Sequence, residues 1–436
     1  MARQQAEPLG PRFVKLWAAS TTSALGSGLA TIAAPLLVAS RSSSPVVVAA
    51  TFGASWLPWL LFSLPGGVFV DRGDRRRLMV VIDWTRAATM CGLATAIALG
   101  QTSIVLLDGV LFAINTGEVV FRSAGQAMIP SVVPRSRLER ANGWLVGGTT
   151  LMQNMIAGPL GGLLFVVAAC VPFFVNAGTY ILSAVLISLV AGTYRGFRGP
   201  RPADPDGPHA KAAPGTGPQR TRSVWADVAE GFRWLMLQRV LRTMTLLIGL
   251  LNLTLTAALA VLVLLAKQRL HLGSVGYGTL FTCEAAGALL GSLAGDRLIK
   301  KVTATWTIRI GLLIEAGLHL TLATSHSAYV VGFMLFAFGV HSALWTIVGS
   351  SLRQRLTPPE MLGRVASTSL FISSGGNCAG ALLGGLIAAN LGLTAPYWAG
   401  FAAAVFVSVA TWRAFDRTTV AQAYAEPVPV ELLPQE

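Results

Sequence analysis

Carboxylates are scarce in this chain, and those inside long apolar stretches are the residues best suited to do chemistry. Asp108 and Glu118 fall in 103–124, Glu284 in 273–296 and Glu315 in 303–324. Taking a carboxylate out of water is costly, so inside an apolar segment it marks ion pairing, proton exchange or ligand binding. Glu284, Glu118 and Asp108 are therefore candidates for coupling proton movement to another process. Glu284 lies nearest the middle of its stretch, on a helical face shared with Gly287 and Gly291. Arg122 follows Glu118 by one turn and offers a structural ion pair as the competing reading. His341 and Trp345, one turn apart in 327–350, and Asn252 in 242–266 are candidate contacts for an amphipathic ligand. His341 equally suits a proton shuttle or a polar contact between helices. Glu315 and His319 share one helical face and read as a satisfied interhelical pair.

These residues need long apolar helices to hold them. Hydrophobic residues make up 53% of the 436 positions and charged ones 12%, and the mean hydropathy is +0.62. Apolar stretches recur over 13–39, 45–70, 78–99, 103–124, 143–167, 171–194, 242–266, 273–296, 303–324, 327–350, 366–390 and 394–414. Each can span a hydrocarbon layer of about 30 Å as a helix. The pattern predicts an all-α, multi-pass membrane protein, its first apolar run a retained span rather than a cleaved leader. The net charge of +14 comes from basic residues in short loops, with no zinc-finger or aromatic-basic pattern for nucleic acid. With the N-terminus in the cytoplasm, only Arg41, Lys267 and Arg269 fall outside; Arg86 and Arg309 sit within spans, and the other 28 of the 33 lie in inner loops or at the inner ends of spans. That asymmetry places both termini inside. Cys91, Cys170, Cys283 and Cys378 lack CxxC spacing and read as buried small hydrophobes.

Residues 195–241 interrupt the spans. The part up to 223 is rich in Pro, Gly and charge, as in a flexible linker. From 224 onward, Val224, Val228, Phe232 and Leu235 recur at helical spacing, which suits a helix lying on the inner membrane surface. The division is thus an N-terminal six-helix bundle (1–194), this linker, a C-terminal six-helix bundle (242–414) and a disordered tail (415–436). The two bundles carry the same marks in the same order. Gly66, Asp71 and Arg72 return as Gly291, Asp296 and Arg297. Pro134, Leu138 and Arg140 return as Pro358, Leu362 and Arg364. Asn154 and Leu160–Leu163 return as Asn377 and Leu383–Leu386. Six spans separate the copies, so the halves are parallel repeats with an expected site between them.

The loop Gly67-Val68-Phe69-Val70-Asp71-Arg72-Gly73-Asp74-Arg75-Arg76 resembles the first signature of the major facilitator superfamily. Asp74 stands where that signature most often has glycine. The resemblance covers 13–414, and the stretches 130–143 and 352–367 are similar to the branch with macrolide and siderophore exporters. It implies that Asp71 contacts the start of span 11, near Arg364–Ala366, as a gate closing the cytoplasmic side. Asp83 and Arg86 extend that gating group through a pair one turn apart. In span 5, Asn154, Gly158, Pro159 and Gly162 partly resemble an antiporter motif, though Asn154 and Leu163 replace two of its glycines; a plain packing kink is the competing reading. The expected function is proton-coupled efflux of an amphipathic small molecule, such as an antibiotic or siderophore, by alternating access. The alternative is a nutrient importer or facilitator of the same fold. The resemblance implies a monomer in the bacterial plasma membrane, with lipid, protons and a small-molecule substrate as partners, no nucleic acid and no cofactor. No catalytic, metal-ligating or phosphate-loop motif points to an enzyme or an ATP-driven pump.

The gate yields a prediction. Asp71→Asn removes the charge and keeps the shape, so it should lower transport turnover while leaving the amount of folded protein in the membrane unchanged. Turnover equal to the parent would reduce the loop to a topology signal.

Overall fold

Prolines and short polar residues set where the helices begin, and apolar stretches set how far they run. The computed structural model describes residues 9–134, 137–192, 194, 224–358 and 361–412. In chain order the helices are α1 (Pro11–Arg41), α2 (Pro45–Arg72), α3 (Arg75–Ala98), α4 (Ile104–Val132), α5 (Leu138–Thr150), α6 (Ala157–Val167) and α7 (Val171–Ser188). A π-helical turn, Leu151–Ile156, joins α5 to α6. Then come α8 (Val224–Leu237), α9 (Arg239–Ala260), α10 (Leu262–Gln268), α11 (Ser274–Val302), α12 (Ala304–Thr324), α13 (Ala328–Leu356), α14 (Leu362–Leu391) and α15 (Ala395–Thr411).

A proline stands in the first turn of α1, α2, α7 and α15, where a missing amide donor costs nothing. Asp74 caps α3 by accepting from the amides of Arg76 and Arg77. This explains an aspartate where the signature prefers glycine: its carboxylate satisfies two orphan donors at a positive helix end.

Nine of the described helical segments are long and apolar enough to cross a membrane. Of the twelve expected, α3, α11 and α15 fall short of that measure. Asp83 and Arg86 interrupt α3, α11 is rich in Gly, Ser and Thr around Glu284, and α15 has only 17 residues. The four cysteines are free. Cys378 is buried as expected, but Cys91 is exposed.

The repeat has a structural counterpart. Gly161 of α6 packs on Leu29 and Ile32 of α1 in its own half, while Gly162 meets the Ser274 backbone of α11 in the other half. Their echoes do the same: Gly384 of α14 packs on Ala257 of α9, and Gly385 meets Pro45 and Val46 of α2. The first glycine of each pair binds the bundle, and the second binds the two bundles to each other. The small-residue ladder Gly287, Gly291 and Gly295 of α11 also finds the close neighbour expected of it, which is α13.

Pro159 gives this junction a further tie. A proline at position 159 cannot donate to the carbonyl four residues earlier, which leaves Met155 O without its helical partner. The Thr282 hydroxyl of α11 donates to that carbonyl at 3.2 Å. The approach is possible because Gly158 and Gly278 face each other backbone to backbone, with no room for a Cβ on either.

Two ends of the molecule differ accordingly. One apolar cluster runs through both halves near the short loops, joining Leu37, Val38 and Val48 to Leu262, Leu265 and Tyr277. Lys267 adds a bond across it, donating to Ala39 O at 3.1 Å. At the opposite, basic end the halves keep separate clusters, one around Leu16, Met79 and Met128 and one around Met244, Leu312 and Leu352. The short-loop end is sealed and the basic end is split.

Gly278→Leu should therefore wedge the short-loop end open. In a background with the native cysteines replaced, Ala39→Cys and Lys267→Cys should be joined by a short bis-maleimide. Adding Gly278→Leu should abolish that cross-link; unchanged cross-linking would contradict the backbone contact.

Candidate functional site

The ionisable residues inside the helices form two groups, one in each half, with opposite characters. In the first half α1, α3, α4 and α7 converge on Arg86, which is 2% exposed beside Asp83 and Glu118 at 0% and 5%. Its guanidinium donates to Asp83 at 3.1 Å, Ser23 at 3.2 Å, Ser27 at 3.1 Å and the Tyr180 hydroxyl at 2.8 Å, and also to Glu118. The Tyr180 ring stacks beneath the cation at 3.9 Å. Arg122 donates to the other Glu118 oxygen at 2.5 Å and also to Gln153. Two carboxylates face two guanidinium groups, so the charges cancel within the cluster. A buried pair of this kind holds four helices in register, because neither partner can leave without stranding the other. Neither Tyr180 nor Gln153 was singled out from the sequence; a tyrosine and a glutamine in apolar helices give no periodic signal to find.

In the second half, α9, α11, α12, α13 and α14 enclose a cavity of about 360 Å³. Glu284, Asn252, His341 and Trp345 all line it, so the structure brings together four residues the sequence proposed separately. The edges of Phe338, His341 and Trp345 stack in a row along α13, at 6.1 and 6.0 Å. Asn252 donates to the Ser373 hydroxyl at 2.6 Å. The lining of the cavity extends to Leu241, Arg353 and Val365, all at the basic end.

Glu315 lines the same cavity, which corrects its expected place in a satisfied interhelical pair. His319 stands 3.8 Å from it along the same helix, beyond hydrogen-bond reach. Glu315 Oε1 and His341 Nδ1 are both buried with no hydrogen-bond partner among the described residues. Gly311 carried the missed signal: it lies one turn before Glu315, and the His341 ring fills the space its side chain would take. A glycine one turn from a carboxylate marks an inward face.

Other expected site residues are spread around these groups. Asp108 stands in the first turns of α4 near Thr51, at the short-loop end, and joins neither group. Arg75 donates to Ala127 O at 2.8 Å, and its amide to Tyr194 O at 3.0 Å. Arg76 donates to Ile187 O at 3.3 Å and to Ser188 O. Both cations thus cap carbonyls near the ends of α4 and α7. Gly67, Asp71 and Arg72 belong to the last turns of α2, but their side chains lie outside the described residues, and so does the expected contact of Asp71 with α14. What does reach the start of α14 is Glu230 of α8, 2.8 Å from Arg364. In the second-half echo Gly291 packs on Val340 of α13 and Arg297 is exposed; the Asp296 side chain lies outside the described residues. Asn154 sits in the π turn, and Gly158, Pro159 and Gly162 form the junction with α11.

Comparison with known proteins agrees with this architecture. The family model described as transmembrane secretion effector matches residues 7–201 and 210–430. The enterobactin exporter EntS of Escherichia coli O1:K1 / APEC is 26% identical over 388 residues, covering 86% of this chain and 85% of that protein. Among solved structures, a mutant of the nucleoside transporter NupG superposes with a TM-score of 0.71 at 12% identity, covering 93% of this chain and 100% of that one. A bacterial homologue of the iron transporter ferroportin in an inward-facing state gives 0.70 at 16% identity, covering 94% and 100%. At these identities the structural likeness speaks for the fold.

Glu118→Gln tests the charge-balanced cluster. It should leave Arg86 short of a counter-charge and destabilise the first half by about 3 kcal/mol, the usual cost of breaking a buried pair. The expected readout is a clearly lowered thermal midpoint in detergent. Arg86→Met together with Asp83→Asn and Glu118→Gln should recover part of that loss.

Proposed function

Because the chain belongs to the transmembrane secretion effector family, whose model spans nearly all of it, and is a multi-pass membrane transporter, we propose that it exports an amphipathic small molecule of the siderophore kind in exchange for protons. The observation that carries this reading is the cavity holding Glu284, reached from the basic end while the short-loop end is sealed. The positive-inside rule sets the basic end and both termini in the cytoplasm, with the chain in the cell membrane. The cavity then loads from inside, as export requires.

Glu284 is the proton carrier in this scheme. It faces the cavity from the middle of α11, and no guanidinium or ammonium contacts it among the described residues. Glu118 serves instead as structure, held between Arg86 and Arg122. Asp108 lies too near the short-loop end to meet a substrate in the cavity. The kind of substrate follows the EntS likeness and the mixed lining of aliphatic, aromatic and hydroxyl groups.

Export proceeds by exchanging which end is closed. The paired contacts of α6 with α11 and of α14 with α2 are the surfaces along which the halves would rock, and the Asp71 gate would close the basic end in the opposite state. Inverted membrane vesicles test the whole reading. A siderophore should accumulate only when a pH gradient is imposed, and Glu284→Gln should bring uptake down to the passive level. Full gradient-driven uptake in that variant would remove Glu284 from the mechanism, and uptake indifferent to the gradient would revive a facilitator.

A further inference from the structure

The two halves balance their buried charges differently, and the difference defines a site. In the first half, Asp83 and Glu118 meet Arg86 and Arg122. In the second, Glu284 and Glu315 face the same cavity, and among the described residues neither is ion-paired with an Arg or Lys. The cations nearest in the fold are engaged elsewhere. Arg309 donates to Trp412 O at 2.7 Å and lies 4.5 Å from that ring, on the far side of the bundle. Arg269 donates to Ala323 O and Thr324 O, both at 2.7 Å, at the short-loop end. Arg353 lines only the mouth, twelve residues beyond His341 on α13, which is about 18 Å of helix. The remaining titratable groups around the pair are His319 beside Glu315 and His341 across the cavity.

We propose that Glu284 and Glu315 together bind the protonated amine of an amphipathic substrate, with the Phe338–His341–Trp345 row as its aromatic wall. This assignment rests on the export reading and names the substrate class of the same cavity. Five features of the cavity support it. Glu315 Oε1 is buried and has no hydrogen-bond partner among the described residues, so an acceptor is available for an ammonium proton. His341 Nδ1, on the facing helix, is likewise buried and without a partner among the described residues. Aromatic faces attract an organic cation, most strongly where water is excluded. Asn252 donates an amide hydrogen to Ser373, which fixes the side chain, and its carbonyl oxygen is a further acceptor. At about 360 Å³ the cavity is within the range that holds drug-sized ligands.

The site also defines the exchange. A carboxyl group that holds a proton gives it up to water at the basic end when R–NH3⁺ arrives, and the carboxylate then pairs with the ammonium. One proton leaves for each ammonium bound, no bond to carbon changes, and the net charge of the loaded site stays the same. Release on the other side reverses the step with a proton taken up there. A single-amine substrate is therefore moved against one proton without net charge, driven by the pH gradient and not by the membrane potential.

The purified chain in detergent, with dansylcadaverine as the probe, tests this. The amine should quench or shift in fluorescence saturably, and its N-acetylated derivative, which is neutral, should bind at least about tenfold more weakly, as expected when a desolvated charge pair is lost. In weakly buffered solution the amine should release one proton per molecule bound. Glu284→Gln and Glu315→Gln should each weaken amine binding by about tenfold or more while leaving the acetylated compound unaffected, which separates loss of the site from loss of folding. No saturable amine binding, equal binding of the acetylated compound, absence of proton release, or undiminished amine binding in the double variant overturns the site. Siderophore export that runs on a pH gradient while the amine fails would refute the site alone. Amine binding with proton release, but no gradient-driven export of any compound, would refute the export reading alone.

Discussion

A helix in hydrocarbon has no water to repair its backbone, so any carbonyl that loses its helical partner must be satisfied by protein. Pro159 creates one such flaw at Met155, and Thr282 repairs it from the other half of the molecule. Much of the architecture follows from that dependence. The hydroxyl reaches the carbonyl only because Gly158 and Gly278 bring two backbones together without side chains between them. The same approach buries the shared apolar cluster and Lys267 at the short-loop end. With that end occupied, the cavity has its opening at the basic end. A kink that would be a weakness in an isolated helix is here a condition of the seal.

Charge follows the same economy in both halves but to different ends. Arg86 converts four separate helices into one unit, taking its partners from α1, α3, α4 and α7. Its buried cost is offset by the carboxylates and hydroxyls around it. The second half holds its helices together differently, through glycine ladders and close backbone contacts of α11 with α13 and α14 with α9. Packing of that kind uses no charge. Its carboxylates are consequently directed into the cavity, where a mobile partner can meet them.

Much of this was readable from residue types alone. The apolar stretches located the helices, and the glycine pairs at 161–162 and 384–385 announced a duplication that the packing bears out contact by contact. Glu284, Asn252, His341 and Trp345 were each legible as candidates because a polar, ionisable or aromatic group in an apolar helix has few reasons to be there, while their meeting in one cavity came from the fold. What escaped were features set by rotation about a helix axis. Glu315 and His319 share a face by spacing, yet spacing does not say which neighbour that face meets; Gly311 decides it by admitting His341. Asp74 escaped for a local reason, since its value lies in two backbone amides one turn away. The Glu230 contact with Arg364 escaped because the linker's amphipathic pattern describes a surface and not a docking partner.

The duplicated glycine pairs carry one more implication. Each pair places a close, backbone-faced contact between the halves, α6 on α11 and α14 on α2, the second flanked by Leu382 against Gly53 and Leu60 against Gly375. Mechanically these are two parallel bearings. A surface of glycine and carbonyl oxygen has no rotamers to rearrange and no knobs to lift out of holes when it turns. Because the two bearings are copies, a rotation that suited one would suit the other, and a motion between the halves would share a single axis. Gene duplication thus supplied more than a second bundle: it supplied the matched pair without which a hinge twists.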